Sequence, residues 1–173
     1  LNNYVKKYVI TEATYAHNGN KKELRFDINK FSKFKDKITY IVVDRKPENI
    51  INPVKGEAKE KRGEKLIING MLRDYFQREC LMDGVVDALD DDLILISDLD
   101  EIPNLNNLDT SIINNNILFF EQKIFYYKLN LIYDEFIWHG TRATKKKNLL
   151  SPQWLRNIKA KNYSKWRLDT FFS

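Results

Sequence analysis

The stretch of sequence that decides the fold is Asp90–Pro103, which reads DDDLILISDLDEIP. Its centre, Leu93–Ile96, is four apolar residues in a row, whereas a strand with one solvated face alternates apolar and polar residues. The run therefore predicts a strand that is covered on both faces, as in a parallel sheet, and Pro103 prevents its continuation. In open α/β sheets, ligands bind at the carboxyl ends of such strands.

Three carboxylates follow this strand directly, those of Asp98, Asp100 and Glu101. The carboxylates of Asp98 and Asp100 are two positions apart and repel each other unless a cation joins them. Mn²⁺ and Mg²⁺ prefer such oxygen ligands and commonly complete their coordination with substrate phosphates. The pattern predicts a metal–diphosphate site. The simpler alternative is that the two aspartates only cap a turn, where Asp is common.

Composition limits the class of protein. With 173 residues, 43% of them hydrophobic and 13% aromatic, the chain is expected to be a single globular domain rather than a disordered segment. The single Cys80 excludes an internal disulfide and makes a zinc–thiolate site a poor interpretation. No signal peptide and no apolar run of ~18 residues is visible, so a cytoplasmic protein without a membrane span is expected. The start at Leu1 suggests that residues 1–173 are part of a longer chain.

Charge is unevenly distributed along the chain. Residues 136–168 contain nine Lys or Arg and no Asp or Glu, while acidic residues gather in Asp87–Glu101. An acidic cluster and a basic half within one domain suit a metal together with an anionic ligand. The run Lys145–Lys147 by itself is equally typical of a solvated loop.

The rest of the sequence alternates short strands with helices, which is the pattern of an α/β fold. Pro47–Lys65, rich in proline, glycine and charge, predicts a surface loop, and Trp138–Thr141 predicts a turn. The other predicted elements are strands at Tyr8–Thr11, Lys37–Val43, Ile117–Phe120 and Phe125–Leu129, the last two antiparallel, a helix from Gly70 to about Leu89 capped by Asn69, and a short helix at Ser151–Lys161.

Arg78 stands on the apolar stripe of the predicted Gly70–Leu89 helix. Burying an arginine is costly unless its charge meets an anion. Two interpretations remain open. Arg78 either pairs with Asp74 or snorkels to solvent, or it points at the strand ends and meets ligand phosphates or the acidic cluster.

Several segments together resemble one known family. They are YVITEATYAHNG, DYFQRE, DDDLILISDLDEIP, FYYKLN and WHGTRAT, of which SDLDEIP is the most specific. They resemble the corresponding segments of glycosyltransferase family 17, to which the β-1,4-mannosyl-glycoprotein N-acetylglucosaminyltransferases belong. The resemblance covers most of the chain from Tyr4 to about Arg156 and suggests a shortened viral or bacterial member.

The resemblance implies a GT-A-like fold with a mixed, mainly parallel sheet flanked by helices. It also implies a nucleotide-sugar donor, most naturally a UDP-sugar, a glycan or glycoprotein acceptor, Mn²⁺ or Mg²⁺, and inversion at the anomeric carbon. Neither nucleic acid nor a membrane is an expected partner. Carried over by position, the implied roles are metal binding by Asp98 and Asp100, contact with donor phosphates by Asp98, and proximity to the nucleotide or donor for Glu12, Gln77 and Arg78.

Some features depart from the family pattern. The family's opening F-N-E strand is absent, Asp74 stands where relatives have Glu, and Glu79 stands where they have Asn. The late G-W-H-F-S segment corresponds at best to Lys165–Arg167, without the histidine. A part of the nucleotide pocket is therefore expected to lie outside residues 1–173.

The reaction requires a base that deprotonates the acceptor hydroxyl. The carboxylates that the sequence offers for a catalytic role, besides Asp100, are Glu101, Glu121, Asp134 and Glu135, and the sequence does not choose among them. The sequence leaves two other functions open. A haloacid-dehalogenase-like phosphohydrolase also places D-x-D after a strand, although early in the chain, and a non-catalytic nucleic-acid-binding domain would use the basic half.

Overall fold

The computed structural model describes residues 1–106, 108–110, 113 and 117–160. The chain divides into two compact units, Asn2–Asp87 and Ala88–Ser173, the latter together with Leu1. The strands are β1 (Tyr8–Ala13), β2 (Ile38–Val43), β3 (Leu93–Ile96), β4 (Leu118–Phe125) and β5 (Ile132–Lys145); the α-helices are α1 (Lys59–Glu79) and α2 (Pro152–Asn157); and 3₁₀ segments span Ile28–Lys37, Cys80–Gly84 and Lys146–Asn148.

The Asn2–Asp87 unit is built on the parallel pair β1–β2, with Tyr8 opposite Ile38 and Ala13 opposite Val43. The β-branched and aromatic residues of both segments favour strands, as the sequence predicts. Ala13, Val43 and Cys80 form a buried cluster with Tyr15. Cys80 is thus a small core residue.

Helix α1 begins at Lys59, well before the predicted start at Gly70, and ends at Glu79, well before Leu89. Its first turns fall in the stretch that the sequence predicts as a loop, because lysine and glutamate are good helix formers even when solvated. After Glu79 the chain tightens into the 3₁₀ segment that ends at Gly84. A Cβ at Gly84 would lie 2.2 Å from Val9 Cγ1, so glycine permits the close approach to β1.

The sequence predicts that Asn69 caps the helix. In the structure, Asn69 is instead buried within α1. Its side-chain amide donates to the carbonyl of Ile51 and accepts from the amide of Ile51, both at 2.8 Å. Asn is favoured at the N-cap of helices, which is why the local sequence predicts a helix start at Asn69. The pairing ties the segment before α1 to the middle of the helix.

The second unit contains an antiparallel sheet in the order β3-β5-β4. The α/β class is confirmed, but parallel pairing in the described residues is confined to β1 and β2. The expectation that β3 belongs to a parallel sheet is wrong, since it runs antiparallel to β5 with Leu93 opposite Lys145 and Ile96 opposite Arg142. An apolar run reports that a strand is covered, and strand direction depends on a partner distant in sequence.

The prediction of two antiparallel strands is right for the first and wrong for the second. Ile117–Phe120 overlaps β4, whose antiparallel partner is β5. Phe125–Leu129, the second predicted strand, is instead the end of β4 and the connection that follows it. Strand β4 continues to Phe125, and β5 begins only at Ile132. Residues 126–131 connect the strands, with Tyr127 at φ +60° and the amide of Tyr126 bonded to the carbonyl of Leu131. Strand β5 also passes straight through Trp138–Thr141, which the sequence predicts as a turn.

Helix α2 covers part of the predicted Ser151–Lys161 helix. Ser151 is its N-cap and accepts from the amide of Trp154, and Leu155 is fully buried as α2 packs against β3 and β5. Tyr163 and Lys165–Arg167 lie outside the described residues. Among the described helices, none is both long and apolar enough to cross a membrane.

Candidate functional site

The chain leaves β3 in a tight turn that is closed by Asp98 and Glu101. The backbone amide of Glu101 donates to the carbonyl of Asp98 at 3.1 Å, and the amide of Asp98 donates to Glu101 Oε2 at 2.9 Å. The two residues therefore hold each other in place. The region Asp98–Glu101 is called the aspartate turn below.

Glu101 is the buried member of the aspartate turn, with a side chain only 5% exposed. Besides the amide of Asp98, its carboxylate accepts from Trp138 Nε1 at 3.0 Å and from both terminal nitrogens of Arg156, at 2.9 and 3.0 Å. A buried carboxylate is costly unless it is paired and hydrogen-bonded, and the bidentate arginine meets both conditions. Glu101 therefore anchors the turn.

Asp98 and Asp100 are the accessible carboxylates of the turn. The Asp98 side chain is 41% exposed, and its Oδ2 accepts from Arg156 Nη2 at 2.8 Å. Asp100 is exposed. The structure thus presents both predicted metal-binding aspartates at the carboxyl end of β3.

The chemistry of this pair suits a hard divalent cation. Mg²⁺ is typically bound through one or two carboxylates, with waters and substrate phosphates completing the coordination, rather than by a complete protein cage. In the described residues, no group of three His, Cys, Asp or Glu side chains could hold a metal ion. Carboxylates such as those of Asp98 and Asp100 are ligands that Mg²⁺ accepts, and the rest of its coordination would come from waters or a ligand.

Gly140 lies where three side chains meet the backbone of β5. A Cβ at this position would lie 2.1 Å from Gln122 Oε1, 2.6 Å from Trp138 Nε1 and 2.8 Å from Glu101 Cδ. The carbonyl of Gly140 accepts from Arg156 Nη1. The glycine of WHGT is thus required for close approach to the aspartate turn, and not for bending the chain.

A short polar network extends this arrangement across the sheet. Gln122 Oε1 accepts from the amide of Thr141 at 2.9 Å, and the hydroxyls of Thr141 and Ser97 are 2.7 Å apart. Thr141 is completely buried. These contacts join β4, β5 and the residue that immediately precedes Asp98.

The remaining candidate bases lie on the β4–β5 hairpin and are exposed. Glu121 Oε1 lies 3.8 Å from Nε2 of His139, its partner in register. Glu135 accepts from the Tyr133 hydroxyl at 3.3 Å. Asp134 is six positions before Gly140, about 20 Å along an extended strand. Glu121 is therefore nearer than Asp134 and Glu135 to the aspartate turn along the sheet.

In the Asn2–Asp87 unit, Glu12 is a hub of hydrogen bonds near the carboxyl end of β1. It accepts from Lys22 Nζ at 2.7 Å, from the amides of Arg25 and Phe26, and from the Tyr40 hydroxyl at 2.9 Å. Burial by itself raises the pKa of Glu12, but these hydrogen bonds outweigh it and lower the pKa to about 2. Glu12 is held as an anion and fixes the chain at residues 22–26.

Gln77 and Arg78 lie on the last turns of α1. Gln77 Nε2 donates to the carbonyl of Thr11 at 3.2 Å, and Arg78 Nη2 donates to Asp74 Oδ2 at 3.1 Å. The interpretation that Arg78 pairs with Asp74 is thus confirmed. Arg73, which the sequence reasoning did not consider, is the buried arginine of α1 and donates to the carbonyl of His17 at 2.6 Å.

Three residues that hold the aspartate turn are not predicted as site residues from the sequence. They are Arg156, Trp138 and Gly140. Trp138 and Gly140 were visible only as part of the WHGT segment of the family resemblance. Arg156 gave no signal of its own, being one of nine basic residues in its region and 58 positions from Asp98.

One family model supports the resemblance seen in the motifs. The family model described as Glycosyltransferase family 17 matches residues 1–150, which include the aspartate turn and all of β5. No curated protein and no solved structure matches the chain significantly. Because the match covers most of the 173 residues, the chain belongs to glycosyltransferase family 17 and is a glycosyltransferase.

Proposed function

We propose that the protein transfers a sugar from a nucleotide-sugar donor to a hydroxyl of a glycan or glycoprotein acceptor, with inversion at the anomeric carbon and with Mn²⁺ or Mg²⁺ as cofactor. The observation that carries the proposal is the presentation of the Asp98 and Asp100 carboxylates at the carboxyl end of β3, in a turn anchored by Arg156. The family assignment supports a sugar donor and a glycan acceptor.

Asp98 and Asp100 would hold the metal, which supplies positive charge to a departing diphosphate. The protein's part is to keep these two carboxylates fixed before the donor arrives, so that little reorganisation is required during the reaction. Glu101 and Trp138 contribute by closing the turn from within. The donor is proposed to be a UDP-sugar, with Glu12, Gln77 and Arg78 as candidate groups near the nucleotide.

An exposed carboxylate of the hairpin is proposed as the base that receives the proton of the acceptor hydroxyl. Glu101, which accepts four hydrogen bonds, is better suited to anchoring than to proton transfer. Glu121, Asp134 and Glu135 remain candidates, and Glu121 is favoured because it lies nearest to the aspartate turn in the strand register.

The first prediction concerns Asp98→Asn and Asp100→Asn. Each variant is expected to lose at least ~100-fold in metal-dependent sugar transfer, because a metal contributes several kcal/mol to stabilising the leaving charge. Thermal unfolding in a panel of nucleotides and nucleotide-sugars, with and without Mn²⁺, measures binding independently. At a ligand concentration of 100 Kd, the wild type is expected to gain about 2.7 kcal/mol and both variants to gain far less.

Asp90→Asn is the matched control, since it makes the same chemical change in an exposed carboxylate before β3 rather than after it. It is expected to behave as the wild type does. Full Mn²⁺-dependent transfer by Asp98→Asn and Asp100→Asn would overturn the metal assignment. If nucleotides stabilise the protein equally well without a divalent metal, the proposed metal cofactor is wrong, while the proposed nucleotide-sugar donor still stands.

The two alternative functions have less support. The family assignment favours sugar transfer over phosphate hydrolysis and over nucleic-acid binding. Part of the basic region is also already paired with acids, since Lys145 Nζ and Lys147 Nζ lie 3.1 and 3.0 Å from Asp91 Oδ1.

A further inference from the structure

Arg156 is carried to the aspartate turn by α2. Ser151 caps this helix, Pro152 occupies its first position, and the fully buried Leu155 fixes its rotation against β3 and β5. Arg156 follows Leu155 directly, and its side chain is only 10% exposed. The guanidinium is therefore placed by a helix that is itself anchored in the core.

The two terminal nitrogens of Arg156 have four N–H groups, and each finds an acceptor. Nη1 donates to Glu101 Oε2 at 2.9 Å and to the carbonyl of Gly140. Nη2 donates to Glu101 Oε1 at 3.0 Å and to Asp98 Oδ2 at 2.8 Å. The planar fork thus grips a carboxylate, a strand carbonyl and one oxygen of a predicted metal ligand at the same time.

This geometry has a consequence for charge. Asp98, Asp100 and Glu101 would together place three negative charges within four residues. Arg156 compensates one of them and does so at the buried Glu101, where a lone anion is most costly. The carboxylates of the turn outnumber this one guanidinium, and those of Asp98 and Asp100, unlike that of Glu101, are accessible at the surface.

We propose that Arg156 is the positioning residue of the metal site, since it fixes Asp98 directly and the shape of the aspartate turn through Glu101. The inference rests on the proposed role of Asp98 and Asp100. In this proposal Arg156 acts only through Asp98 and Glu101, the side chains to which it donates. Its effect is on the geometry of the ligands, as for groups that orient metal ligands in other proteins.

Two substitutions separate positioning from simple electrostatics. Arg156→Gln removes a positive charge near the site, so Coulomb attraction alone predicts tighter binding of a cation. Arg156→Lys keeps the charge but loses the fork, so electrostatics alone predicts no change. Positioning predicts that both variants bind Mn²⁺ at least ~10-fold more weakly than the wild type.

The experiment is a titration of the full chain with MnCl₂ in the presence of UDP, followed by the paramagnetic resonance signal of free Mn²⁺. Folding of each variant is checked beforehand by near-UV circular dichroism. Lys159→Gln is the matched control for a lost positive charge close to α2, since Lys159 is exposed. It is expected to bind Mn²⁺ as the wild type does.

Wild-type Mn²⁺ affinity in folded Arg156→Lys, or tighter binding in folded Arg156→Gln, would overturn the proposal. If only one variant folds, that variant decides. Failure of the underlying function is distinguishable, because the wild type itself would then neither bind Mn²⁺ with UDP nor show metal-dependent transfer. A second readout is the Mn²⁺ concentration that gives half-maximal transfer, which is expected to rise at least ~10-fold in Arg156→Lys while kcat at saturating Mn²⁺ falls less.

Discussion

Gly140 is a residue where a single added carbon would disturb the aspartate turn. The hypothetical Cβ would lie within 3 Å of atoms in Gln122, Trp138 and Glu101, all of which are engaged in hydrogen bonds. Two of these atoms belong to groups on other segments of the second unit. The absence of a side chain at Gly140 thus allows β4, β5 and the aspartate turn to approach one another.

Gly140→Ala is expected to lower the free energy of unfolding by about 2 kcal/mol, because overpacking forces neighbours out of their preferred positions. Urea unfolding measures the change. Gly63→Ala is the matched control, since a Cβ there would meet nothing within 4 Å and alanine is the better helix former. It is expected to stabilise the protein by about 0.5–1 kcal/mol. A neutral Gly140→Ala would show that the contacts around Gly140 yield easily.

At the scale of elements, α1 has two different halves. Its first half is mostly solvated and carries charged side chains, whereas its second half contains the buried Asn69 and Arg73. The side-chain amide of Asn69 makes two hydrogen bonds to the backbone of Ile51, and the guanidinium of Arg73 donates to the carbonyl of His17. The second half of α1 therefore anchors two segments that have no regular structure of their own.

Asn69→Ala is expected to destabilise the protein by about 1–2 kcal/mol, because it removes both partners of the Ile51 backbone. It should also free the segment before α1, so trypsin is expected to cut faster after Lys55. Urea unfolding and limited proteolysis test the two effects. Ile67→Ala, an exposed position on the same helix, should change stability by less than about 0.5 kcal/mol. Unchanged proteolysis in Asn69→Ala would show that the segment is held by other contacts.

At the scale of the whole molecule, stability in acid depends on the carboxylates whose pKa falls on folding. Hydrogen bonds from Lys side chains lower the pKa of Glu57, Asp87 and Asp91. Glu12 differs, because besides Lys22 it accepts hydrogen bonds from two backbone amides and the Tyr40 hydroxyl, and its pKa in the folded protein is about 2. The folded protein therefore stabilises the ionised form of Glu12 relative to its protonated form.

The Glu12 contribution should be fully present above pH 4.5 and should disappear as the pH falls towards 2, since the folded pKa lies below the unfolded value of 4.5. It amounts to about 3 kcal/mol at neutral pH. Urea unfolding between pH 2 and pH 7 measures it. Glu12→Gln is expected to be less stable at pH 7 and to show a shallower decline below pH 4.5, whereas Glu23→Gln, an exposed neighbour, should follow the wild type. Identical pH profiles for Glu12→Gln and the wild type would contradict the role of Glu12.

Features that depend on neighbouring residues can be read from the sequence alone. These are the apolar strand followed by Asp98 and Asp100, the two strands predicted at Tyr8–Thr11 and Lys37–Val43, and the motifs that identify the family. Local patterns can report them because strand and turn preferences arise from the residue and its neighbours.

The folded chain alone shows the antiparallel direction of β3, the passage of β5 through Trp138–Thr141, and the burial of Glu101 under Arg156. Each of these depends on groups that are far apart in sequence, such as Asp98 and Arg156, separated by 58 positions. Burying a charge without a partner is costly, so the folded chain pairs such groups with one another. Because that cost arises only when the chain has folded, no local pattern in the sequence reports the pairing.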